Sequence, residues 1–131
     1  MNGYRGYIGC RPIDGHRVPQ HVQNLVIRDY AQRKGLAYRL SAVEHVMPNS
    51  FLMLEQLLGE LENLDGIIAY SLFMLPTDGR QRSRVWRRLL DANATFHAAV
   101  EDQVLAGEQD LERLETLFQV QRALAFAWRP H

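Results

Sequence analysis

Apolar residues along the chain switch between short runs of strand character and longer stretches that repeat every three or four positions. The switching predicts the order β-α-β-α-β-α-β-α. The opening "YRGYIGC" mixes aromatic and β-branched residues and stops before Arg11-Pro12, where proline holds its predecessor extended. Val22, Leu25, Val26 and Tyr30 then fall at helical spacing between Pro19, placed near a first helical position, and Gly35, placed as a stop after Arg33 and Lys34. "LAYRLSAVE" alternates as a second strand, and Leu54, Leu57, Leu58, Leu61 and Leu64 form a helical stripe with Asn49 or Ser50 as its cap.

The continuous apolar run Ile67 to Leu72 suits a strand covered on both faces, and so the centre of a mainly parallel sheet. Asp78 with Gln81 three residues on has the form of a capping box, opening an arginine-rich helix that "DAN" closes. "ATFHAAVE" reads as a fourth strand ending at Glu101, and the segment from Gly107 to Trp128 as a long final helix. The expectation is one α/β domain over residues 1–131: a four-stranded, mainly parallel sheet with helices on both faces, a doubly wound three-layer sandwich. In such sheets a ligand is held beyond the carboxyl ends of the strands, which makes the polar residues at the strand exits the candidates.

Composition narrows the classes of function. Basic and acidic residues balance at 15 each, which argues against broad nucleic-acid binding. Arg80, Arg82, Arg84, Arg87 and Arg88 crowd one helix, and Arg80, Arg84, Arg87 and Arg88 share a broad outer face suited to solvent or to a subunit contact. No apolar run reaches the roughly 20 residues of a bilayer span, and the first ten residues read as a strand and not as a signal peptide. Cys10 is the single cysteine, so no internal disulfide forms, and the expected location is the cytoplasm. No metal-ligand spacing such as H-x-x-x-H occurs, and nothing in the pattern calls for a cofactor.

At the first exit stand Cys10 and Arg11, with Arg17 and Gln20 at the start of the following helix. Two guanidiniums at a helix N-terminus form an anion clamp, or else pair with Glu44 or Asp14 at the surface. Gln20, Gln23 and Asn24 share one side of that helix and read either as hydroxyl-binding amides or as a polar solvent face. Cys10, beside an arginine at a strand-to-helix turn, is either an activated thiol or a packed side chain. The second exit offers Ser41, Glu44 and His45, with Glu44 the preferred general acid or base. Tyr70 and Ser71 occupy the third exit, where Ser71 lacks the context of a nucleophile elbow. His97 and Glu101 flank the fourth, four residues apart and about 13 Å along a strand.

The segments "GYIGCRP", "NLVIRDYAQRKG" and "MLEQLLGELENLDGIIAYSLFML" together resemble the catalytic domain of serine recombinases, over the chain up to about Glu101. The resemblance implies that scaffold without its chemistry: Arg11 stands where the recombinase serine would be, and Phe73 and Met74 where an Asp-Arg pair would end the strand. "RGYIGCRP", "RVPQHVQNLVIRDYA", "LSAVEHVMPN", "MLEQLLGEL" and "DGIIAYSLFMLP" resemble the sporadic carbohydrate cluster proteins across nearly the whole chain. That second resemblance implies a role in making surface polysaccharides or sugar-containing metabolites, and no mechanism.

Three functions follow as expectations, the third being DNA or RNA binding through the arginine-rich helix. In the first, a small enzyme acts on an anionic sugar-like substrate: a sugar phosphate, nucleotide sugar or related polyol. Arg11 and Arg17 hold the anion; Gln20, Gln23 and Ser71 bind hydroxyls; Glu44, with His97 or Glu101, moves protons. In the second, the chain is a non-catalytic binding subunit that forms homo-oligomers through its second or last helix.

Overall fold

The computed structural model describes residues 2–13, 15–45 and 50–127. The first strand, β1 (Tyr4–Gly9), leads through a loop to α1 (Gln20–Lys34) and β2 (Tyr38–Glu44). Then come α2 (Leu52–Gly59), β3 (Gly66–Ala69), α3 (Gly79–Asp91), the hairpin of β4 (Thr95–Ala98) and β5 (Gln103–Leu105), and α4 (Leu111–Ala127). The strands lie side by side as β2-β1-β3-β4-β5. All neighbours are parallel except β4 and β5.

The sheet thus has five strands where four are expected. The fourth strand stops at Ala98, not Glu101, and Asp102 turns the chain back with a positive φ of 52°. Gln103–Leu105 then pairs antiparallel along β4. The third strand ends at Ala69; Leu72–Met74 forms a short 3-10 turn whose start is capped by Ser71, the hydroxyl oxygen accepting from the Phe73 N–H.

Strand alternation sorts side chains into two cores. Tyr7, Ile67, Ala69, Phe96 and Ala98 face α2, α3 and α4, while Ile8 and Ile68 face Ile27, Tyr30 and Ala31 of α1. Helices therefore cover both faces. Gly35, at φ 70°, ends α1 as expected. The expected caps of α2 differ: Asn49 lies outside the described residues, and the cap position is held by Phe51, not Ser50. At α3, Asp78 caps the helix by accepting from the Arg80 N–H.

Arg82 turns inward from the arginine face. It is 7% exposed and grips Glu115 of α4 with two donors, at 2.7 and 2.6 Å. Its remaining donor reaches the Pro76 and Thr77 carbonyls, and its guanidinium carbon lies 3.9 Å from the Phe118 ring centroid. Trp86 donates to the same Glu115 carboxylate. Beyond Phe118 the described residues of α4 are mostly exposed, Val120 and Leu124 among them. Among the described residues no helix is long and apolar enough to cross a membrane.

Candidate functional site

The strand order places β2 and β3 on opposite sides of β1, so the loops leaving β1 and β3 part company at the carboxyl edge and open a crevice between them. A cavity of about 530 Å³ lies there. Gly9, Arg11, Pro12 and Ile13 line it from the β1 side, and Phe73, Met74, Leu75, Thr77 and Asp78 from the β3 side. Glu44, Phe51 and Gln81 complete the wall. Arg11 sets its guanidinium carbon 4.4 Å from the Phe51 ring centroid, which holds the charge at the rim of the cleft by cation–π attraction.

Glu44 is 2% exposed and its carboxylate is engaged three times over. It accepts from the Tyr7 hydroxyl at 2.8 Å and from the Met53 and Leu54 N–H groups at 3.2 and 3.1 Å. The last two are unpaired donors of the first turn of α2, so Glu44 caps that helix from the neighbouring strand. Burial first, then the Glu44 charge, pushes the Tyr7 phenol far above its ordinary range, with Arg11 opposing. The Tyr7 proton therefore stays in place, donated to Glu44.

The other expected site residues do not join this cleft. Gln23 is fully buried; its amide accepts from the Gly9 N–H at 3.0 Å and donates to the Gly9 and Val18 carbonyls, each at 2.8 Å. It fastens the loop and does not read ligand hydroxyls. Asn24 faces the edge of β2, accepting from Ser41 at 2.7 Å. Gln20 is exposed and donates to the Cys10 sulfur at 2.9 Å, and Arg17 is exposed outside the cavity wall. The clamp of two arginines thus reduces, within the cleft, to Arg11.

Ser71 and Glu101 do meet. The Ser71 hydroxyl donates to Glu101 at 2.7 Å, and the second Glu101 oxygen accepts from the Leu72 N–H at 2.8 Å. The pair ties the exit of β3 to the turn after β4, and neither residue lines the cleft. Tyr70 is half-buried against both cores, its N–H bonded to the Tyr7 carbonyl. His97 points the other way because Phe96 and Ala98 take the opposite face. It sits against α1, with Nδ1 2.9 Å from the Tyr30 hydroxyl and Nε2 3.1 Å from the Thr95 hydroxyl. Thr95 donates onward to Tyr4, so Nε2 carries the proton and Tyr30 donates to Nδ1. Burial, helped by the Lys34 charge, pushes the His97 imidazole down to about 4. The proposed partnership of Glu44 with His97 or Glu101 is not assembled: the three carboxylate and imidazole groups serve three separate networks.

Phe51 and Thr77 join the cleft with no signal in the spacing that announces them, and Asp78 and Gln81, legible in the sequence only as a capping box, line it as well. Among the described residues no cluster of His, Cys, Asp and Glu could hold a metal ion.

The fold, a mostly parallel sheet with helices on both faces, resembles that of a serine recombinase catalytic domain. Among solved structures the chain is similar to the N-terminal catalytic domain of TP901-1 integrase, with a TM-score of 0.55 at 15% sequence identity. That alignment covers 95% of this chain and 99% of the other, and at this identity the likeness is one of fold. No family model matches the chain, and no curated protein matches it.

Proposed function

We propose that the chain binds an anionic sugar-like ligand in the cleft between the β1 and β3 exits, as a protein of carbohydrate or sugar-containing metabolite biosynthesis. The position of Arg11 carries this reading: a fixed cation at the rim of a cavity whose walls alternate apolar rings with Thr77, Asp78 and Gln81. A sugar ring has an apolar face and a hydroxyl edge, and such a wall meets both. The sequence resemblance to sporadic carbohydrate cluster proteins supports the context. Binding is favoured over turnover because Glu44, the expected acid or base, is spent on Tyr7 and α2. Turnover of the same ligand is the second reading, supported by the exposed Asp78 carboxylate on the cleft wall.

Calorimetric titration of the full chain with sugar phosphates, nucleotide sugars and sugar acids tests the proposal, with Arg11→Ala alongside. At least one ligand should bind with a Kd that rises about tenfold in Arg11→Ala. Absence of heat from every ligand, or affinity indifferent to Arg11, removes it. Product formation followed by proton NMR separates the two readings: conversion lost in Asp78→Asn would establish the second.

A further inference from the structure

A second cavity, of about 830 Å³, abuts the first. Both are walled by Pro12, Ile13, Phe73, Thr77 and Asp78, so they are two lobes of one trough running from Arg11 towards α4. In the second lobe Arg82 and Glu115 neutralise each other at 2.6 Å. The lobe therefore meets a ligand through Arg122, the amides of Gln119 and Gln121, and the edge-to-face pair of Phe73 and Phe118, whose centroids are 5.2 Å apart.

We infer that the trough takes an acidic oligosaccharide of two or more sugar units, with a neutral ring over the shared wall and acidic substituents at Arg11 and Arg122. This rests on the binding reading above and narrows its ligand. The shared wall decides the class. Its apolar members suit the flat face of a sugar ring, and the Thr77 hydroxyl and Asp78 carboxylate suit ring hydroxyls. The same Asp78 charge repels a phosphate bridge at mid-trough, so a nucleoside-diphosphate sugar, which carries its charge there, fits worse than a sugar acid oligomer with charges at its ends. Each lobe falls within the 300–1,000 Å³ typical of small-ligand sites, so a ligand that fills one lobe leaves the other to water.

The full chain is titrated calorimetrically with galacturonate, with a trimer in which two galacturonates flank a neutral galactose, and with UDP-galacturonate. The trimer should bind at least tenfold more tightly than the monomer, and in Arg122→Ala that advantage should vanish. Arg28→Ala, on the outer side of α1, is the control and should keep it. UDP-galacturonate should bind no more tightly than the monomer. Equal affinity for monomer and trimer, a trimer advantage that survives Arg122→Ala, or preference for UDP-galacturonate would overturn the inference. If Arg11-dependent binding of galacturonate persists in any of those cases, the binding proposal stands; if none of the acids binds, this inference falls, and the binding proposal then depends on the sugar phosphates.

Discussion

Removal of the Glu44 carboxylate tests the assignment of that residue to architecture and not to proton transfer. In Glu44→Ala, α2 loses the acceptor for two of its first-turn donors, a cap worth about 0.5–2 kcal/mol. The Tyr7 hydroxyl, fully buried, loses its 2.8 Å partner, and an orphaned buried donor costs about 1–3 kcal/mol. Together these give a loss near 3 kcal/mol, which at a urea slope of about 1.5 kcal/mol/M moves the midpoint down by about 2 M. Tyr7→Phe alone should lose about 1 kcal/mol, since Glu44 retains its two backbone donors. The double variant Glu44→Ala/Tyr7→Phe should then be more stable than the sum of the two losses implies, by about 1–2 kcal/mol, because no hydroxyl is left orphaned. Urea unfolding of the four proteins reads all three quantities. A Glu44→Ala loss under about 0.5 kcal/mol would refute the capping argument and return Glu44 to the list of groups free for chemistry, and strict additivity in the double variant would refute the Tyr7–Glu44 hydrogen bond.

Arg82→Ala should cost about 2 kcal/mol by taking the two-pronged partner from the half-buried Glu115 and leaving the Pro76 and Thr77 carbonyls unpaired, and Arg82→Lys most of that, since an ammonium cannot make the two-pronged contact; thermal melts compare them. The Arg82 hydrogen bond holds the Glu115 carboxyl below its ordinary range, so this contribution is present above the usual carboxylate pKa and fades as pH falls through the lowered value. His97 is held neutral down to about pH 4 in the fold but takes a proton near 6.5 when unfolded, so wild-type stability should fall by about 3 kcal/mol between pH 6.5 and 4; the slope should flatten in His97→Gln. Gly66→Ala should destabilise by about 3 kcal/mol in urea, because its methyl group would collide with the Thr95 backbone carbonyl on β4, which cannot swing aside.

Much of the scaffold was legible because its signals are local. Pro19 and Gly35 bracket α1, and the apolar run from Ile67 lies in a strand buried on both sides, as its composition demands. The hairpin was not legible: its return strand is three residues long, and it depends on Asp102 adopting a left-handed conformation that its residue type only permits. The site was partly legible. Arg11 and Glu44 stand at the expected strand exits, and both line the cavity between β1 and β3. What failed was the step from edge to pocket, since residues at one sheet edge project to either face, and His97 follows its strand parity away from Arg11. Gln23 looked like a solvent-facing amide because nothing in the spacing announces that two backbone carbonyls and an N–H lie within its reach.

That amide shapes how the cleft meets a ligand. By bonding Gly9 at one end of the 10–19 loop and Val18 near the other, Gln23 closes the loop at its neck, and the Ile13–His16 bridge stiffens its middle. The backbone at those four positions has already surrendered its freedom during folding. Whatever settles beside Arg11 and Ile13 then needs to freeze little backbone motion, so even a few modest contacts leave a measurable net affinity.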